Sequence, residues 1–308
     1  MEELMLIPSE GGIRIDKYVS DECQEISRSF VQKMIEAGDI FLQNAPDRKL
    51  KSNYKLSAGE CVIVRIHEPK EAEIEPEDIP LDIIYEDSDL LIINKSKKMV
   101  VHPSNGHYSG TVVNAVMFHC KNDLSGINGV MRPGIVHRIV QNTTGSLIIR
   151  KNDFSHNHIA KQLKVHSITR KYVAIVHGNL KEEDGTIHTL IGRHPTDRKK
   201  MSVNCKNGKE AITHYHVLER FSNYTFIECT LETGRTHQIR VHMASIGHPI
   251  LGDDVYGPSK CPVKNLIGQT LHAKTIGFIH PKSEQYVEFE APLPEYFENL
   301  LKKLRTSN

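Results

Sequence analysis

The sequence predicts an α+β protein, a mixed, largely antiparallel sheet with flanking helices, preceded by a small α/β domain. Three observations carry this expectation. Apolar residues alternate with the period of a strand through LDIIYEDSDLLIINK, RKYVAIVHG, HYHVLERFSNYTFIECTLETG and EQYVEFEAP. Helical signals fall between those runs, in NDFSHNHIAKQLKVHS and RTHQIRVHMASIGHP. The 308 residues, at ~150 per domain, also divide into about two domains.

Taken in order, Ile15, Tyr18 and Val19 mark a short first helix. A second follows in SRSFVQKMIEAGD, where Ser27 caps and Gly38 stops it. Its apolar face is Phe30, Val31, Met34 and Ile35, with Arg28, Gln32 and Lys33 on the other side. The remainder to residue 66 alternates like short strands joined by turns, giving a helix–helix–hairpin module over 1–66. HEPKEAEIEPEDIP, at 67–80, joins three prolines to six acids without an apolar period and reads as a linker. From 81 to 308, LDIIYEDSDLLIINK supplies two strands around a turn. RTHQIRVHMASIGHP supplies a helix that buries Ile239, Met243 and Ile246 and ends at Gly247 and Pro249. EYFENLLKKLRTSN reads as a terminal docking helix.

With 39% hydrophobic and 25% charged residues, the chain has an ordinary globular composition. No run approaches the ~18 apolar residues of a membrane span, and MEELMLIPSEGG is acidic where a signal peptide is basic. A cytoplasmic protein with no membrane partner is therefore expected. The six cysteines form no C-x-x-C pair and are expected to be reduced. The net charge of +1 conceals −2 over residues 1–66, −5 over 67–80 and +8 over 81–308. A basic C-terminal block beside an acidic connector fits a polyanionic partner.

Eighteen histidines raise the question of metal. His156/His158 and His214/His216 are pairs at spacing two, but there is no H-E-x-x-H, Cys/His cluster or carboxylate at ligand spacing, and no metal is expected. G-x-G-x-x-G, G-x-x-x-x-G-K-[ST] and G-x-S-x-G are all missing, which argues against a nucleotide cofactor and a serine hydrolase.

In the first module, R-x-D-K-x-x-S, S-R-S-x-x-Q-K-x-I-E-x-G-D and Y-K-L-x-x-G-E, spread over residues 13–66, resemble the alpha-L RNA-binding motif. The resemblance implies that Arg28, Lys33 and the Arg48, Lys49, Lys51, Lys55 cluster contact RNA phosphate. In the second domain, RPGIVHRIVQNTTGSLII, RKYVAIVHG and LETGRTHQIRVHMASIGHPILGDDVYG resemble, in that order, the RluA-type pseudouridine synthases. That resemblance runs from about residue 81 to the end. It implies the pseudouridine synthase fold, a structured RNA substrate such as large-subunit ribosomal RNA and no cofactor; a monomer is expected.

Such enzymes flip a uridine from its stack, break its glycosidic bond and rejoin the base through carbon. The resemblance implies an Asp nucleophile, an Arg paired with it and a Tyr against the base. Tyr172 and Arg240 occupy the last two positions. The nucleophile motif H-R-L-D-x-x-T-S-G aligns with His137 to Gly145 and puts Val140 where the Asp belongs, with Asn142 at a second acidic position. A valine carries no lone pair, proton or charge, so impaired isomerisation is expected. The alternative is an active synthase using a relocated acid, for which Asp253 and Asp254 are the candidates; their ordinary role is local capping or pairing.

His137, Arg138, Arg170, Arg235 and His237 are the implied RNA contacts of this domain. His237 is expected to share a helix face with Arg240. Two basic stretches add phosphate-binding charge: Arg150, Lys151, Lys161, Lys164, Arg170 and Lys171, then Arg193, Arg198, Lys199, Lys200, Lys206 and Lys209.

Overall fold

The computed structural model describes residues 2–23, 26–66, 74–103, 108–121, 123–127, 134–135, 139–197 and 199–306. The chain divides into two compact units, Met1–Glu73 and Ile74–Asn308.

In the first unit, β1 (Glu2–Leu6), α1 (Ile15–Glu22), α2 (Arg28–Ala37), β2 (Ile40–Leu42) and β3 (Val62–Ile66) follow one another. β3 lies between β1 and β2, antiparallel to both. Ile15, Val19, Val31, Met34, Ile35, Val62 and Val64 form its core. Gly38 ends α2 with φ 82°, a conformation glycine adopts without Cβ strain. Two expectations change here. Ser27 stands at the N-cap but makes no capping hydrogen bond, its Oγ lying 3.2 Å from that of Ser29 instead. Phe30 is exposed, because a ten-residue helix packed on one side buries only the stripe through Val31, Met34 and Ile35.

The second unit is built on a ten-stranded sheet. Its strands are β4 (Ile83–Glu86), β5 (Leu90–Lys95), β6 (Thr144–Arg150), β7 (Thr169–His177), β8 (Asp184–Arg193), β9 (Met201–Ser202), β10 (Lys209–Arg220), β11 (Tyr224–Leu231), β12 (Leu271–Ile279) and β13 (Tyr286–Glu290). The order is β4-β5-β6-β12-β7-β11-β10-β8-β9, with β13 on β12. Among the described residues only β6–β12 is a parallel pair, so the sheet is mixed and largely antiparallel.

Strand alternation sorts the side chains onto two faces. Leu91, Ile93, Leu147 and Ile149 pack with α3 (Val112–Cys120) on one, where Ile227, Cys229 and Leu231 pack with α5 (Gln238–Ser245). On the other face, Ile148 and Phe278 meet α4 (Asp153–Lys164), and Val173 and Ile175 meet α6 (Glu295–Thr306). Residues 67–73 of the expected linker lie outside the described residues. From Ile74 onward the segment is docked rather than free. Ile74 is buried with Val112 and Val113, and the Asn114 side chain donates to the Glu75 carbonyl at 2.8 Å.

Candidate active site

The turn leading into β6 is fixed from three sides. Thr143 N–H donates to the Val140 carbonyl at 2.9 Å, closing the turn. The buried Lys95 at the end of β5 donates to the carbonyls of Gln141 (3.0 Å), Ser96 (2.8 Å) and Met99 (2.9 Å), tying this turn to the loop after its own strand. Burial pulls the Lys95 ammonium down to about 7. The Gln269 amide donates to Thr143 Oγ1 at 2.9 Å, and Asn142 lies so close to Gly268 that a Cβ there would overlap it. Gly145, with φ 109°, lets β6 approach the Ala273 backbone where any side chain would collide. Val140 itself is 37% exposed at the surface of this turn.

Tyr172 stands opposite Cys229 and Ala273, on the face of β7 that joins the two core clusters. Burial raises its phenol above the ordinary value, so the hydroxyl keeps its proton. Arg170, two residues before it on the same face, donates from Nη2 to the Glu232 carbonyl at 2.9 Å and passes close over Gly234. Arg235 donates from Nε to the Glu210 carbonyl at 2.7 Å.

Helix α5 is held on β10 by polar contacts. Gln238 accepts from Thr233 Oγ1 and Arg235 N, both at 2.9 Å, and donates to the Ile212 carbonyl and Thr213 Oγ1. His242 sits between Thr213 Oγ1 and Thr189 Oγ1, each 2.9 Å away, and burial lowers it to about 4, so it is neutral.

On this fixed helix, Arg240 is buried and paired with Asp253. Nε donates to Oδ2 at 2.6 Å and Nη2 to Oδ1 at 2.7 Å. Asp253 Oδ1 also accepts the backbone N–H groups of Val255 and Tyr256, both at 3.0 Å. Burial alone would push this carboxyl up, but Arg240 and the two N–H groups outweigh it and hold it below its ordinary value. Asp253 therefore has both roles, local capping and the neutralisation of Arg240. Asp254 is 72% exposed, with Oδ1 3.7 Å from Arg240 Nη2. Nη1 of Arg240 has no hydrogen-bond partner among the described residues.

The loops form one continuous scaffold. Gly252, beside Asp253, lies against the Gly268 carbonyl, and Gly268 lies against Asn142. The Arg240–Asp253 pair is thus linked through residues 252 and 268 to the turn that carries Val140.

His237 departs from expectation. It precedes α5 in the left-handed conformation, φ 57°, rather than lying within the helix. It still converges with Arg240, because both reach Tyr256. The His237 ring stands edge-on to Tyr256 at 5.6 Å, and the Arg240 guanidinium lies 5.2 Å from the same ring. Ile246, expected in the buried face, is 38% exposed because it falls beyond the last helical turn.

Of the other implied RNA contacts, Lys33 is exposed, whereas Arg28 is held by Asp16 through its Nε and Nη2 at 3.1–3.2 Å. Asp16 is fully buried and also receives Arg14 and Gln32. His137, Arg138 and Arg198 lie outside the described residues. The first basic stretch contributes less surface charge than its sequence implies. Arg150 is wholly buried, and Lys151 pairs with Glu86 at 3.0 Å. In the second stretch Arg193, Lys199, Lys206 and Lys209 are exposed. His156 bonds to Ser125 and His158 to Gln162, and among the described residues no group of three ligating side chains could hold a metal ion.

Lys95, Gln238 and Tyr256 had no assigned role in the sequence. Lys95 had one visible signal, a lysine two residues after the apolar run LLII. The other two lay inside segments already singled out as motifs.

Comparison with known proteins gives a consistent result. Residues 89–245 match the family described as RNA pseudouridylate synthase. The chain is 50% identical over 292 residues to an RNA pseudouridine synthase of Bacillus subtilis, covering 95% of this chain and 94% of the relative. It is 42% identical over 315 residues to the ribosomal large subunit pseudouridine synthase D of Zymomonas mobilis, covering 100% and 98%. In fold it is similar to human RNA pseudouridylate synthase domain containing 1, with a TM-score of 0.58 and 24% identity over 74% of this chain and 96% of that one. Tyr172, Arg240 and the turn at Val140 thus stand in a scaffold whose family is shown by matches along nearly its whole length: the chain belongs to the RNA pseudouridine synthases, which are RNA-modifying isomerases.

Proposed function

We propose that this chain binds structured RNA, specifically large-subunit ribosomal RNA, at a target uridine but isomerises that uridine inefficiently. The observation that carries the reading is the pairing of Arg240 with Asp253 in a chain that has a valine at position 140. A buried guanidinium without a carboxylate costs ~3 kcal/mol or more. Asp253 removes that penalty, so the fold tolerates Val140. Both Asp253 oxygens are engaged by Arg240, which argues against this residue as the attacking group. The unpartnered Nη1 of Arg240 suits a uracil oxygen or a phosphate.

The ribosomal target is favoured by the names of relatives such as that from Zymomonas mobilis. In the N-terminal unit, which we read as an alpha-L RNA-binding module, Asp16 holds Arg14 and Arg28 in fixed positions with each side chain nearly half exposed. A second reading, an active enzyme with a relocated acid, is favoured by one observation, the exposed Asp254 at 3.7 Å from Arg240. It predicts that Asp254→Asn abolishes tritium release from RNA labelled at carbon five of uridine.

The binding half is tested by titrating a large-subunit rRNA transcript over a range of salt, against an unrelated protein of similar charge. The expected result is tighter, salt-dependent binding that weakens on Arg138→Ala. Affinity no better than the control overturns the reading.

A further inference from the structure

From the hydrogen bonds around Tyr256 we infer that this residue is a positioning residue for RNA, joining the root of the basic β8–β9–β10 arm to His237 and Arg240. The inference rests on the RNA-binding reading above and adds a residue to it.

The arm carries the exposed cations Arg193, Lys199, Lys206 and Lys209. Its root is anchored at two levels. Ile191 and Ala211, with Met201 and Val203 packed beside them, form a small apolar cluster with Val241 of α5, and the Tyr256 ring completes it. Within that cluster the Met201 N–H donates to the Tyr256 hydroxyl oxygen at 2.7 Å. The same oxygen lies 2.9 Å from His237 Nδ1.

A phenol has one proton to give. Met201 N–H is a donor only, so the Tyr256 oxygen accepts there and keeps its own proton, which we assign to the bond with His237 Nδ1. A neutral His237 is then the tautomer that carries its proton on Nε2. Burial raises the Tyr256 phenol above its ordinary value, consistent with a hydroxyl that stays protonated. Four elements therefore meet on one residue: the arm through Met201, the residue before α5 through His237 and α5 itself through the Arg240 guanidinium over the ring, all at the side chain, and the loop that supplies Asp253 through the backbone N–H. Moving the arm without moving His237 would break one of the two bonds to the hydroxyl. RNA phosphates held by the arm are thereby kept in register with the site that receives the base.

The test is Tyr256→Phe, which keeps the ring against His237 and Arg240 and deletes the hydroxyl. Two measurements are made on the full chain. Nitrogen-15 imidazole spectra at pH 8, with His237 assigned by loss of its signals in His237→Gln, report the tautomer without RNA. The expected result is Nε2–H in the natural chain and a mixture of tautomers in Tyr256→Phe. Binding of a large-subunit rRNA transcript as a function of salt reports the arm. Here Tyr256→Phe is expected to weaken affinity about fivefold and to lower the salt slope by about one phosphate contact, a change that simple loss of packing would not produce.

An unaltered tautomer in Tyr256→Phe overturns the inference, and so does a changed tautomer with unchanged affinity and slope. If the natural chain shows the predicted tautomer but binds RNA no better than a control of similar charge, the RNA-binding reading falls and takes this one with it. The tautomer result alone tells that failure apart from an error in the Tyr256 geometry.

Discussion

Replacing Asp253 with asparagine probes the balance of charge around Arg240. The native carboxylate accepts four N–H groups, two from Arg240 at 2.6 and 2.7 Å and two from the backbone of Val255 and Tyr256 at 3.0 Å. Asparagine is nearly isosteric and keeps the Oδ1 contacts, but its amide nitrogen faces the Nε–H of Arg240, donor against donor. The side chains of the pair are 4% and 0% exposed, so water replaces the lost Nε contact poorly. Removing one partner of such a buried pair costs ~3–5 kcal/mol, a large fraction of the ~5–15 kcal/mol that holds a typical protein together.

The assay is urea unfolding followed by circular dichroism, since the chain has no tryptophan. The folded-state pKa of Asp253 lies below its unfolded value of 3.8, so its contribution is fully present above that value and is lost as pH falls through the folded one. The gap between natural chain and variant should stay constant from neutral pH to about 5 and narrow below about 4. A loss under ~1 kcal/mol at pH 7, or a gap independent of pH down to acid unfolding, would refute the claim that Asp253 is the neutralising partner.

Three further outcomes are expected. Gly145→Ala puts a Cβ into the Ala273 backbone at φ 109° and should cost more than ~3 kcal/mol by separating β6 from β12; a melting temperature within two or three degrees of the natural chain, a shift of ~1 kcal/mol, would contradict this. His242 is lowered from 6.5 to about 4, so neutral-state stability is present above 6.5 and falls by up to ~3 kcal/mol as pH drops to about 4; His242→Gln should remove one proton from that slope, and parallel stability curves would show that the imidazole is not buried neutral. Arg28→Ala should leave the fold intact, because Asp16 keeps Arg14 and Gln32, while lowering the salt slope of RNA binding by about 1; an unchanged slope means that Arg28 serves only Asp16.

The fold class was readable from strand period and from the placement of helical runs, and the Gly38 and Gly247 terminators stand where the sequence put them. Short or fully buried elements escaped notice. β9 has two residues, and α3, VVNAVMFHC, is apolar nearly all round, so its period carries little information. Phe30 and Ile246 show the limit of a periodic reading: it names a face, while the neighbour decides how much of that face is covered.

At the site, the motifs located Tyr172, Arg240 and the turn at Val140, but pairing is a property of distance. Nothing in the spacing of thirteen residues between Arg240 and Asp253 required a bidentate contact. Arg150 and Lys151 carried apparent surface charge in the sequence that burial and Glu86 removed. Tyr256 escaped assignment because its importance lies in joining Met201 to His237, which are 36 residues apart in the numbering but share one hydroxyl.

The most direct test of binding without efficient isomerisation is tritium release from large-subunit rRNA labelled at carbon five of uridine, comparing the natural chain with Val140→Asp at the same salt. Val140 is partly exposed on a turn fixed by Lys95 and Gln269, so an aspartate there needs no rearrangement of the core. Release by Val140→Asp alone, with equal RNA affinity for both chains, is the predicted result. Release by the natural chain at a comparable rate would contradict it and place the attack on another residue.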